Sequence, residues 1–183
     1  METVLQEGAE DESIRFGSLY RQSRTYQAAR VIYQATPVVC TRFMKARPRM
    51  SSRLVEAAKN GRQNIVLASM VSQKSMKAEL KLLGLARASY EQLLLGFQNH
   101  LRRQGLPVWG KEYSQAKAVR RLCYQENKSY STYRAFLEAP AGVETSVNTL
   151  VCLIHQENFL LDQQLRRLEH QFLKPRGFLR QSI

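Results

Sequence analysis

The chain reads as all-helical, and its predicted architecture is an antiparallel up-down four-helix bundle with a helical insertion between the third and fourth bundle helices. Apolar residues recur at spacings of three and four in the long segments, not two. Glycine is sparse inside those segments, and proline falls mostly between them. Charge adds a third observation: from Arg15 to Arg62 there are eleven Arg or Lys residues and a single acid, Glu56, on segments patterned like helices.

The first helix is predicted from about Ser18 to Lys45, with Tyr26, Ala29, Tyr33, Thr36, Cys40 and Phe43 along one face. Pro37 removes a backbone donor and crowds the preceding turn, so a kink or short break is expected near Ala35 and Thr36. The second helix starts by Pro48, which a first turn tolerates, and continues through Met50, Leu54, Ala57, Gly61, Ile65 and Ala68. Its face is built of small residues, which lets a neighbouring helix approach closely and offsets the propensity cost of Gly61. Ser72 or Ser75 caps the third helix, which runs through Met76, Leu80, Leu83, Arg87, Tyr90, Leu94, Phe97 and Leu101 to Gly105. Leu82, Leu85, Ala86 and Leu93 widen its apolar surface, and a subunit interface is one use for the excess. The last long helix begins after Pro140 and Gly142, follows Val143, Val147, Leu150, Ile154, Asn158, Leu161, Leu165, Leu168 and Phe172, and ends by Pro175. Asn158 is the polar break in that seam, of the kind that fixes register or oligomeric state.

Residues 105–139 form the insertion, opened by a turn at Gly105–Gly110 and continued by shorter helices over Glu112–Asn127 and Tyr130–Glu138. Trp109, Tyr113, Tyr124, Tyr130, Tyr133 and Phe136 either stack on exposed bases, with Lys117, Arg120 and Arg121 beside them for phosphate, or pack the insertion onto the bundle. The domain plan is therefore a disordered acidic tail at 1–17, the bundle with its insertion at 18–175, and a basic tail at 176–183.

At 183 residues, 44% of them apolar, the chain suits one domain with a substantial core. No apolar run reaches membrane-spanning length and the acidic start is unlike a signal peptide, so a soluble, cytoplasmic protein is expected. Cys40, Cys123 and Cys152 are odd in number and sit in apolar periodic segments, which favours buried reduced thiols over disulfides. His100, His155 and His170 have no metal-ligand spacing around them, and no Gly-rich phosphate loop or serine with a base at helical spacing is present. His155 and Glu157, two apart on a helix, point to different faces. A binding protein without catalytic residues, metal or cofactor is the expectation.

Several ordered blocks carry a family resemblance. Ser51 to Ser69, reading SSRLVEAAKNGRQNIVLAS, resembles the signature of the bacterial four-helix-bundle family that includes the ribosomal intervening-sequence proteins. LLGLARASYEQLL at Leu82–Leu94 is similar to that family's third helix. RRQGLPVW at Arg102–Trp109, SYSTYRAFLE at Ser129–Glu138 and CLIHQENFLLDQQLRRLEHQFL at Cys152–Leu173 resemble its longer "four helix bundle suffix" subgroup. The same superfamily holds the accessory variability determinants of diversity-generating retroelements, which the resemblance implies are basic homopentamers that bind a reverse transcriptase and nucleic acid. The chain departs from the family where Asn-Ile-Ala-Glu-Gly is usual: here Asn64, Ile65, Val66, Leu67 and Ala68 follow, and Leu67 is expected to substitute apolar packing for the carboxylate's tie.

The functional expectation is an RNA-binding accessory protein that recognises shape and phosphate in a structured RNA or an RNA/DNA hybrid, works with a reverse transcriptase, and forms a homo-oligomer, as a pentamer by resemblance. Its basic surface is assigned to Arg21, Arg24, Arg30, Arg42, Lys45, Arg47, Arg49, Arg53, Lys59 and Arg62, centred on the turn between the first two helices. Arginine suits this because its planar fork grips phosphate oxygens in pairs. The alternative is a protein-only adaptor that uses the excess apolar surface and the Arg176 and Arg180 tail to dock acidic proteins.

Overall fold

The computed structural model describes residues 20–173; the acidic 1–17 segment, the expected helix start at Ser18, the stop at Pro175 and the 176–183 tail lie outside them. Six helices carry the described chain: α1 (Arg24–Phe43), α2 (Pro48–Val71), α3 (Met76–Arg103), α4 (Ser114–Leu122), α5 (Tyr130–Leu137) and α6 (Val143–Leu173), with no strand among the described residues.

Local chemistry sets the boundaries. The Ser23 hydroxyl accepts a hydrogen bond from the Tyr26 N–H at 3.1 Å, which starts α1 at Arg24. Contrary to the expected break near Ala35 and Thr36, α1 passes through Pro37 uninterrupted. Proline deletes one backbone bond there, while the Thr36 hydroxyl donates to the Ile32 carbonyl at 2.7 Å and both Ala35 and Thr36 are wholly buried, so packing holds the turn. Pro48 occupies the first turn of α2. Ser75, not Ser72, caps α3 by accepting from the Ala78 N–H at 3.2 Å. Gly105, at φ +67°, ends α3, and the following Leu106 N–H returns to the Leu101 carbonyl at 3.0 Å. The insertion helices are shorter than expected, because the chain leaves α4 after Leu122 and turns at Asn127, whose φ of 53° suits asparagine.

Among the long helices, α1 packs on α2, α2 on α3, α3 on α6 and α6 on α1. Helices α4 and α5 lie against α6, and α5 also touches α1. This cover explains two departures from simple periodicity. Every residue of α6 from Ser146 to Ile154 is buried, because the insertion covers the side that α1 and α3 leave open. Likewise α1 buries Val31, Ile32 and Val39 in addition to its expected stripe. Trp109 and Tyr133 are buried and Tyr130 and Phe136 pack partly against the core, so most insertion aromatics hold it in place; Tyr113 and Tyr124 are exposed, at 41% and 72%. Asn148 fixes the connection to α6: its amide donates to the carbonyls of Pro107 and Glu144, each at 2.9 Å, and its oxygen accepts from the Trp109 N–H at 2.8 Å.

The apolar excess of α3 is largely consumed inside the chain, since Ala86 and Leu93 are fully buried; Leu85 stays exposed. Leu67 is also on the surface, at 39% exposure, so it does not supply the apolar core packing expected of it; Ala68 is the buried neighbour. All three cysteines are free and buried, and burial pushes the Cys40 and Cys152 thiols up to about 11.

The small face of α2 works as its composition predicts. The Tyr90 ring, wholly buried, lies directly on Gly61, where an added Cβ would stand 2.7 Å from Cζ. Gly61→Ala is therefore expected to lower unfolding free energy by about 1–3 kcal/mol through overpacking. Gly84, with nothing within 4 Å of an added Cβ, makes the contrast: Gly84→Ala should raise it by about 0.5–1 kcal/mol. Urea denaturation of the two variants checks both signs.

Candidate nucleic-acid interface

Four of the basic side chains form an exposed group at one end of the long helices. Lys45 and Arg47 lie in the turn after α1, while Arg49 and Arg53 lie in the first turns of α2, and all four are exposed. Among the described residues none of the four enters an ion pair. Arg47 takes the N-cap position without a side-chain cap bond, and the first turn of α2 holds no acid. A helix N-terminus carries partial positive charge and unsatisfied N–H groups, so cations there oppose the helix's own field. The local sequence thus spends stability to concentrate positive charge.

The end of α3 joins this group. Leu54 of α2 packs at Gly96 of α3, and the Arg47 charge, after burial itself, holds the His100 imidazole below its ordinary range. Exposed Arg102 and Arg103 follow His100 in the last turn of α3. These two arginines were absent from the set read from the sequence. Their only sequence signal was a basic pair before a glycine, which equally describes cations that complement a helix C-terminus.

The other expected residues are distributed differently. Arg21 and Arg24 are exposed near the opposite end of α1, remote from the turn along that helix. Lys59 lies 3.9 Å from Glu56 in an exposed pair, which screening leaves weak. Arg30 is half-buried and donates to the Lys128 carbonyl at 3.4 Å. Arg62 stacks over the Tyr33 ring at 4.3 Å with its Nε buried. Arg42 is a tie within the fold: its guanidinium donates to the Leu137 carbonyl, to the Ala141 carbonyl at 2.7 Å and to the Ser146 hydroxyl at 3.3 Å, and lies over the Phe43 ring. In the insertion, Lys117 pairs with Glu112 at 2.7 Å and Arg120 donates to the Lys111 carbonyl, whereas Arg121 is exposed.

His155 is exposed while Glu157 is wholly buried, so the two face apart. No group of three or more His, Cys, Asp or Glu side chains gathers as a metal site among the described residues. No described helix is long and apolar enough to cross a membrane.

Fold and surface together define a basic all-helical protein with one cluster of exposed cations where α2 begins and α3 ends. No family model, curated protein or solved structure matches the chain.

The division between surface and structural arginines is measurable. Arg42→Ala should cost about 1–3 kcal/mol of unfolding free energy, because two part-buried carbonyl acceptors lose a charged donor. Arg47→Ala should stay within about 0.5 kcal/mol of the parent. Denaturant titrations of both variants under one buffer make the comparison.

Proposed function

We propose that the protein is a non-catalytic, basic nucleic-acid-binding accessory protein, folded as an antiparallel four-helix bundle, that holds structured RNA through its phosphates. The observation that carries this reading is the unpaired cluster of Lys45, Arg47, Arg49 and Arg53 at the acid-free start of α2, extended by Arg102 and Arg103. Phosphate oxygens there meet both guanidinium forks and unsatisfied backbone donors, two kinds of partner that a merely solubilising surface does not require.

Support for the bundle arrangement comes from paired positions. Leu54 with Gly96 and Gly61 with Tyr90 run in opposite senses along α2 and α3, and the end of α1 meets the start of α6 through Arg42 and Ser146. The short connections after Phe43 and after Val71 fit antiparallel neighbours. The sequence blocks resemble a four-helix-bundle family whose superfamily includes the retroelement accessory proteins, which favours a template RNA and a reverse transcriptase as partners and a homopentameric ring. Such a ring multiplies the basic end of each protomer, so modest phosphate contacts sum to strong, salt-sensitive binding. Leu85, Leu95 and Phe159 are apolar, exposed and free to contribute to subunit contacts.

Affinity for structured RNA and for matched duplex DNA, measured across a salt series, tests the reading. A steep fall of affinity with salt and a preference for RNA are expected; weak, unselective binding rejects it in favour of the protein adaptor. Replacing Arg47, Arg49 and Arg53 with Glu should abolish RNA binding and leave oligomeric state unchanged. Arg102→Ala and Arg103→Ala should each lower the slope of log affinity against log salt by about 1 if they touch phosphate.

A further inference from the structure

A group of buried polar side chains on α2, α3 and α6 takes no part in the proposed binding. Glu157 of α6 is wholly buried, and neither of its carboxyl oxygens has a hydrogen-bond partner. Asn158 Oδ1, Tyr90 Oη of α3 and Arg62 Nε of α2 are buried and unpartnered as well. Tyr90 feels the charges of both Glu157 and Arg62, so groups from α2, α3 and α6 converge at one depth. Tyr90 reaches that depth because its ring lies on Gly61, the residue before Arg62.

The surrounding charges do not pair with the carboxyl. Lys128, buried between α4 and α5, is within electrostatic reach of Glu157, yet its Nζ donates to the Cys123 carbonyl at 2.7 Å. The Arg62 guanidinium turns to the Tyr33 ring of α1. Arg24 of α1 faces Lys128 and repels it, while Cys123 adds a thiol on the same side. No ion pair joins Glu157 to any of these among the described residues. A carboxylate in such a place would hold a full charge with no donor to meet it, at a far higher cost than the neutral acid. The neutral acid leaves no net charge to be met there.

We propose that Glu157 is a proton-controlled latch: uncharged, it lets α6 close onto α3, and loss of its proton loosens that contact. Burial first, opposed in part by the Lys128 charge, holds the carboxyl well above its ordinary value of 4.5. A carboxyl raised in this way binds its proton more tightly in the folded chain than in the unfolded one. Its stabilisation is complete below 4.5 and is lost as pH rises through the folded value, the opposite of a salt-bridged carboxylate. The latch does not depend on what the basic surface binds.

Two measurements on the full chain decide it. In protein carrying carbon-13 on its glutamate carboxyls, one resonance should keep its acid-form position after the exposed glutamates have titrated, and Glu157→Gln should remove that resonance. The urea midpoint should fall with rising pH above 4.5 more steeply in the parent than in Glu157→Gln. A Glu157 resonance that titrates with the exposed carboxyls, or equal pH slopes in parent and variant, would overturn the proposal. Glu79, whose carboxyl burial also raises, is separated by Glu79→Gln; that variant lets the parent titration stand even if Glu157→Gln does not fold.

Discussion

The rest of the structure depends on covering α6. Its first half is buried on every side from Ser146 to Ile154, and α1 and α3 can shield only the sides they touch. The remaining surface has to be met by the chain between α3 and α6, which is why α4 and α5 exist where they do. Asn148 makes the closure specific, since all of its donors and its acceptor are used on the connection and on α6 itself. Trp109 adds its indole N–H to Glu144 at 2.9 Å, so the largest side chain of the connection is held at both its apolar body and its polar edge. Arg42 completes the enclosure from α1, satisfying carbonyls at the end of α5 and just before α6. The insertion is part of the core.

Two economies of space and charge then follow on α2. Its small face admits the Tyr90 ring at Gly61, and this close approach brings α3 near enough for its basic C-terminus to adjoin the start of α2. Positive charge at the start of α2 works against the helix dipole, whereas the same charge at the end of α3 works with it. The proposed interface therefore joins a site that costs stability to one that contributes it. Arg87, donating to Glu91 at 2.7 Å and to Asp162 at 2.9 Å, ties the middle of α3 to α6 away from that end.

Much of this was legible in the sequence, for physical reasons that can be named. Spacings of three and four located the long helices, Pro48 and Ser75 marked two starts, and the small residues of α2 announced a close contact. Periodicity failed where a helix is covered on more than one side, as in α6 before His155 and in α1 at Val31 and Ile32. Pro37 does not break α1, because a single lost hydrogen bond is small beside the packing of fully buried neighbours. Composition identified a basic surface but could not sort its members: Arg42 and Arg47 look alike in sequence, and only the carbonyls that surround one of them make it structural. Arg102 and Arg103 required the pairing of α2 with α3, and Glu157 required knowing that nothing meets its oxygens.

The cysteines carry a practical consequence. Cys40 lies in α1, Cys123 at the end of α4 and Cys152 in α6, and each is buried with its thiol held in the unreactive protonated form. A thiol reagent has no surface target in the closed described fold, so alkylation has to wait for an opening event. The rates at Cys123 and at Cys40 then become separate clocks, one for lifting the insertion and one for parting the long helices, readable by mass spectrometry on the unmodified natural chain.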